Sequence, residues 1–207
     1  MKLGTDGVLL GAWAPKGTRI LDVGTGSGLI ARMLMQRCPS ATVEGIDIDP
    51  AAVEQAQENG VKAYCAKLQE WEGTYNLIVS NPPYFQNSLK NPDKGRLTAR
   101  HTDSLSYEEL IHHSARLLAK DGQLALILPA EAETEVRGLA AAEKLSLTHI
   151  TRVFSKESKP ARRVLMAFQQ LSIVHYPLSI DEDTLVLEDE IGGRSAAYSE
   201  LTKDFYL

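Results

Sequence analysis

With 207 residues, of which 43% are hydrophobic and 24% charged, the chain has the material for one domain with a full core and the ordinary make-up of a soluble globular protein. No apolar run approaches the eighteen or so residues of a membrane-spanning helix, and no charged start leads into an apolar signal segment, so the cytosol is the expected compartment. A net charge of −5 argues at first against a nucleic-acid partner, yet residues 181–190 hold six acids and no base, and without those six charges the −5 becomes +1.

The opening, Met1 to Trp13, reads as a turn followed by a short apolar helical pattern; so abrupt a start in a glycine-rich segment is expected to follow an N-terminal piece that this sequence lacks. Arg19 to Val23 is a strand, and Gly24-Thr-Gly26-Ser-Gly28 follows it directly. Glycines at these spacings permit a tight turn and close approach of a ligand to the backbone, while the helix expected over 29–36 offers free N–H groups at its start. A second strand, Thr42 to Asp47, ends in an acid about 20 residues past the loop, where a ribose-binding carboxylate is expected. Asp49 caps and Pro50 opens a helix running to about Asn59. Cys38 and Cys65 are expected to be buried, reduced thiols, because their spacing forms no Cys-x-x-Cys pair.

After a short strand near 61–65, the strand 76–80 breaks into Asn81-Pro82-Pro83-Tyr84-Phe85. Consecutive prolines fix φ and donate no N–H, so the chain leaves the sheet in one direction and Asn81 is held at a strand's C-terminal end, where open α/β sheets bind ligands. An amide carbonyl, a proline-fixed backbone carbonyl and an aromatic face suit a flat ring carrying an NH2 group. Taken alone, the segment is equally an ordinary turn with surface aromatics.

A loop over 86–105 comes next, carrying Lys90, Lys94, Arg96 and Arg100. Ser106 and Glu109 form a capping box for a helix to Leu118, which Asp121-Gly122 ends. Strand 123–128, helix 132–144 and strands 147–154 and 164–171 follow. The last two are joined by a basic link, with Lys156, Lys159, Arg162 and Arg163, too short for a helical crossover, so they are expected to pair antiparallel. A short strand at 185–187 and a helix over 195–204 complete the reading. The alternation of strand and helix implies a parallel sheet with right-handed crossovers. His112 and His113 point in different directions along their helix and lack partners at ligand spacing, so no metal site is expected; Trp13 and Trp71 read as packing residues.

Gly24-x-Gly-x-Gly28 lacks the Gly-x-Gly-x-x-Gly spacing of a dinucleotide fingerprint, and a dehydrogenase has no use for Asn-Pro-Pro-Tyr. A methyl donor with a ribose for Asp47 and an amino acid moiety for the glycine loop fits both features. Asp22-Val-Gly24-Thr-Gly26-Ser-Gly28, Asp47 and Asn81-Pro82-Pro83-Tyr84 resemble the amino-methyltransferases of the class I S-adenosylmethionine-dependent fold. More narrowly, Met1 to Trp13, Asn81 to Phe85, Ala99-Arg-His-Thr-Asp103, Arg163-Val-Leu-Met-Ala-Phe168 and Tyr198 to Leu207 are similar to the bacterial tRNA (adenine-N6)-methyltransferases that modify the adenosine just 3′ of the anticodon of a valine tRNA.

The resemblance implies a single Rossmann-like α/β domain whose mostly parallel, seven-stranded sheet has an antiparallel C-terminal strand. It would comprise an N-terminal segment 1–18, a catalytic core 19–171 and a C-terminal extension 172–207. Asp22, Gly24, Gly26 and Gly28 would bind the methionine end of S-adenosylmethionine, and Asp47 its ribose. Asn81 and the Pro82 carbonyl would accept hydrogens from the adenine amine, and Tyr84 would stack on the base. Phe85 would contact the substrate, with Lys90, Lys94, Arg96, Arg100, Lys156, Lys159, Arg162 and Arg163 gripping tRNA phosphates. Two departures from the family stand out: the 59–67 segment is short, and Lys67 replaces an acid usual near the cofactor's adenine. A protein glutamine methyltransferase, whose amide substrate suits the same corner, and a cofactor-binding RNA module without turnover remain as alternatives.

Overall fold

The computed structural model describes residues 4–82, 105–170 and 179–205. Helix α1 (Thr5–Trp13) precedes β1 (Arg19–Val23), α2 (Leu29–Arg37), β2 (Thr42–Asp47), α3 (Pro50–Glu58), β3 (Lys62–Cys65) and β4 (Tyr75–Ser80). After the segment 83–104 come α4 (Tyr107–Leu117), β5 (Leu118–Pro129), α5 (Glu133–Ala142), the hairpin β6 (Leu145–Phe154) and β7 (Ala161–Gln170), then β8 (Asp181–Val186) and α6 (Ala196–Thr202).

The helix starts follow from local chemistry. The Asp49 carboxylate accepts from the Ala51 N–H at 3.0 Å with Pro50 behind it, Ser106 and Glu109 cap each other reciprocally, and the Ser195 hydroxyl accepts from the Tyr198 N–H at 3.0 Å. Helix α4 stops earlier than Asp121-Gly122. The chain turns straight into β5 at Leu118, and the register jumps from Tyr75↔Leu118 to Leu77↔Gln123. Asp121 sits at φ 61° in that irregularity, and a Cβ on Gly122 would lie 2.8 Å from the Ala119 carbonyl oxygen, so this glycine shapes a bulge rather than a helix end.

The sheet runs β3-β2-β1-β4-β5-β7-β6-β8. Strands β1 to β5 pair in parallel, β7 is antiparallel to both its neighbours, and β8 joins β6 in parallel. Among the described residues there are thus eight strands where the resemblance implies seven. The extra one is the acid-rich segment, longer than the strand expected at 185–187. Its backbone pairs with β6 from His149↔Asp181 to Phe154↔Val186, and beside that ladder Asp183 lies 3.2 Å from His149 and Arg152 reaches Glu182 at 3.1 Å. Of the cysteines, Cys38 is buried as expected, whereas Cys65 is exposed because it ends β3, the opposite edge strand; both are free.

Side chains alternate across the sheet and feed two cores. Leu21, Val23, Ile78, Leu124 and Leu126 pack against α4 and α5 through Leu110, Ile111 and Val136. Ile20, Leu77, Val79, Ala125 and Leu165 pack on the other face against Leu9 and Leu10 of α1, Ile30 and Leu34 of α2, Val53 of α3 and Tyr198 of α6. Helix α1 is buried nearly throughout, and Gly11 lets α2 approach, since a Cβ there would lie 2.6 Å from the Met33 sulfur. Both tryptophans pack, as expected: Trp13 Nε1 donates to Thr151 at 2.7 Å and Trp71 Nε1 to the Tyr75 hydroxyl at 2.9 Å.

Candidate functional site

Strand order reverses beside β1, with β2 on one side and β4 on the other, and the C-terminal ends flanking such a switch point form a crevice. The register fixes what stands there. Val23 lies opposite Ser80 and Ile46 in its two neighbours, so Gly24, Asn81 and Asp47 leave the sheet side by side. The Ser80 hydroxyl donates to the Val23 carbonyl at 2.8 Å and ties the two exits together.

The glycine loop is pinned from below. Gly24 and Thr25 donate their N–H groups to the Ile46 carbonyl at 2.9 and 3.0 Å, and the Gly26 N–H donates to the Asp47 carboxylate at 2.9 Å. The other Asp47 oxygen accepts from the Asp49 N–H at 3.0 Å, so one carboxylate orients both the loop and the start of α3. Gly24 and Gly26 have φ of 69° and 55°, and no atom of the described residues stands within 4 Å of where a Cβ would lie at either. This is a bare backbone cradle. Gly28 differs: at φ 80° it caps α2, and a Cβ would lie 2.7 Å from Val61 Cγ2, so its bareness serves packing.

Asp22 lies fully buried beneath the cradle. One carboxylate oxygen accepts from the Thr25 hydroxyl at 2.7 Å and the Ala31 N–H at 3.2 Å; the other has no partner among the described residues. Burial pushes its pKa up to about 6, and the two hydrogen bonds only partly oppose this. A buried carboxylate oxygen without a donor, under an open glycine cradle, fits a cationic group such as an amino acid ammonium.

Residues that sequence reasoning missed hold this arrangement. Thr25 serves Asp22, and Gly45 makes room for Thr25, since a Cβ on Gly45 would lie 2.7 Å from its hydroxyl and 2.9 Å from its Cβ. The sequence signal was only a glycine within a strand, which marks close approach without saying of what. Gly45→Ala is expected to push Thr25 off Asp22, costing about 1–3 kcal/mol in stability by overpacking and about tenfold in cofactor affinity. Thermal denaturation and calorimetry with S-adenosylhomocysteine measure the two effects.

Of the expected site residues, Asp22, Gly24, Gly26, Asp47, Asn81 and Pro82 meet at this crevice, Asn81 half-buried and Pro82 buried, whereas Gly28, expected with the cofactor-binding glycines, is turned toward Val61 and Ala56 at the start of α2. Tyr84, Phe85, Lys90, Lys94, Arg96 and Arg100 lie outside the described residues. The β6–β7 hairpin rises from the same sheet edge, because Pro129 at the end of β5 pairs with Arg163, which pairs with Val153. On it Lys156, Lys159 and Arg162 are exposed, Lys156 lying 3.4 Å from the equally exposed Glu188, while Arg163 is partly buried and pairs with Asp6 at 2.9 Å. Of the four bases expected to grip phosphates, three thus stand exposed and Arg163 is engaged by an acid. Lys67 is exposed, just beyond β3. His112, given no role by the sequence, hydrogen-bonds Glu143 at 2.9 Å.

The model of the methyltransferase small domain family matches residues 4–142. Curated relatives named tRNA1(Val) (adenine(37)-N6)-methyltransferase are 43% identical in Parabacteroides distasonis and 40% in Bacteroides fragilis, each alignment covering 100% of this chain and 91% of the relative. One from Edwardsiella ictaluri is 39% identical over 100% of this chain and 87% of the relative. Among solved structures, a predicted O-methyltransferase from Agrobacterium tumefaciens superposes with TM-score 0.75 at 16% identity over 96% of both chains. The N-methyltransferase NodS from Bradyrhizobium japonicum, in complex with S-adenosyl-L-homocysteine, gives 0.58 at 15% identity over 81% of this chain and 85% of its own. Likeness at those identities concerns the fold.

Proposed function

The chain belongs to the methyltransferase small domain family, and from that premise we propose that it is an S-adenosylmethionine-dependent tRNA (adenine-N6)-methyltransferase whose target is adenosine 37 of a valine tRNA. The observation that carries this reading is the Val23↔Ser80 register, which sets a bare glycine cradle beside Asn81 and Pro82 at one switch point. Such a pairing serves a reaction between a cofactor and an amine.

Asp22 and the backbone of Gly24 and Gly26 would hold the cofactor's methionine end, and Asp47 its ribose hydroxyls. When bound, the cofactor supplies a methyl group already activated on a sulfonium. The protein's part is then positioning and electrostatics, without a dedicated strong base. An adenine amine is a weak nucleophile because its lone pair is shared with the ring. Asn81 Oδ1 and the Pro82 carbonyl, accepting its two hydrogens, would pull the nitrogen toward a tetrahedral shape with the lone pair directed at the cradle. Tyr84 would stack on the base and hold its plane. An anticodon-loop base costs less to extrude from its stack than a duplexed one, which suits an enzyme that must bring the amine of a single base against the cofactor. Lys159 and Arg162, exposed on the same edge, would meet the phosphates, a role that fits work in the cytosol on tRNA.

The test is transfer of labelled methyl from S-adenosylmethionine to total tRNA from a strain lacking this protein, followed by nucleoside analysis. N6-methyladenosine is the expected product. Label appearing in protein glutamine, or none in RNA while S-adenosylhomocysteine still binds, would overturn the assignment.

A further inference from the structure

Arg163 does something the sequence did not suggest. Its Nε donates to the Asp6 carboxylate at 2.9 Å, across 157 positions of chain, and its Nη1 donates to the Arg162 carbonyl at 2.9 Å. Both side chains are mostly shielded, 29% and 22% exposed. Arg163 sits at the crevice edge of β7, opposite Pro129 of β5. It is also close enough to Tyr107, the first residue of α4, to act on its hydroxyl against Glu135 and Glu131, although burial dominates in pushing that pKa up.

The partner residue belongs to the first turn of α1. A Cβ on Gly7, next to Asp6, would lie 3.1 Å from the Leu29 side chain, which opens α2 just after the glycine loop. One turn of helix therefore touches the cradle's flank on one side and β7 on the other. In the sheet, β4 with its Asn81 exit, and β5, lie between those two anchors.

Resting on the reading of the crevice as a methyl-transfer site, we propose that the Asp6–Arg163 pair is a positioning latch: it fixes the first turn of α1 between the start of α2 and β7, and so holds the α2 end of the cofactor cradle in line with the Asn81 corner that the Val23–Ser80 register sets beside it. An ion pair this near the surface adds little to global stability, so its value lies in geometry. In a transfer that depends on alignment, a displacement of about 1 Å costs on the order of 100-fold in rate.

The test uses Asp6→Asn, Arg163→Met and the charge reversal Asp6→Arg with Arg163→Asp in the full chain. Each single change is expected to lower kcat on tRNA by about 10- to 100-fold while KM moves by less than about twofold, and the reversal to recover most of the loss. Backbone amides 5–10 are expected to exchange with deuterium faster in both single variants and near the wild-type rate in the reversal. If Arg163→Met raises KM for tRNA with kcat intact, and Asp6→Asn leaves turnover unchanged, Arg163 contacts phosphate and the latch is refuted. Unaltered exchange in both single variants refutes it equally. Wild-type protein that fails to methylate tRNA would instead sink the functional reading, and the exchange data would still decide the latch.

Discussion

Replacing Asn81 by Ala is expected to lower kcat for N6-methylation by about 100- to 1,000-fold while cofactor affinity stays within about threefold. The side chain would act on the acceptor amine, whereas the cradle is built by Asp22 of β1, Gly24 and Gly26 of the loop after it, and Asp47 of β2. Removing one of two hydrogen acceptors leaves the amine nearer to planar, with its lone pair in the ring. The loss falls on turnover because the hydrogen bond matters most as the nitrogen changes shape. Asn81→Asp, which keeps an acceptor at the same place, is expected to retain part of the rate. Steady-state kinetics on tRNA with calorimetry on S-adenosylhomocysteine separates these outcomes. Near-full methylation by Asn81→Ala would place the chemistry elsewhere; equal loss of cofactor binding would make the corner part of the cradle.

What was legible in the sequence was whatever chemistry is local. A glycine run between a strand and a helix, an acid at the end of the next strand, and a strand stopped by two prolines each state their geometry within a few residues. Gly24, Gly26, Asp47 and Asn81 could therefore be named in advance. Their convergence depends on register, and Val23↔Ser80 is a pairing across 57 positions that no local pattern encodes. The supporting residues were hidden for the same reason. Thr25 matters because Gly45 admits it from another strand, and Ser80 because its hydroxyl reaches Val23.

Arg163 shows a different limit. Sequence displays a charge without its partner, and the Asp6 that pairs with Arg163 lies 157 positions away. Likewise the strand expected at 185–187 begins four residues earlier, because the acid-rich segment pairs with β6 from His149↔Asp181 onward, a pairing that no local pattern encodes.

The largest effect on cofactor binding is expected at Asp22, and it is tied to pH. The folded carboxyl titrates at about 6 against an ordinary value of 3.8, because burial disfavours its charge. A carboxyl raised in this way contributes stability that is fully present below pH ~4 and lost as pH rises through ~6, so at neutral pH the ionised group costs the empty protein roughly 3 kcal/mol. Asp22→Asn removes the charge and keeps an oxygen for Thr25 and Ala31. Relative to wild type, its thermal stability is therefore expected to improve progressively between pH ~4 and ~6 and to hold that advantage at pH ~7. Cofactor binding should move the other way. A ligand ammonium facing the unpartnered oxygen favours the ionised form, so binding below pH ~6 must expel a proton, and affinity is expected to fall by up to about tenfold per pH unit there. In Asp22→Asn the affinity for S-adenosylhomocysteine is expected to drop by about 100-fold at pH ~7 and to lose that dependence. Calorimetry from pH 5 to 8 in buffers of different ionisation enthalpy reads both affinity and proton release. Wild-type affinity that stays flat across this range would mean that Asp22 does not face the charged end of the cofactor, and that its buried carboxylate serves the loop alone.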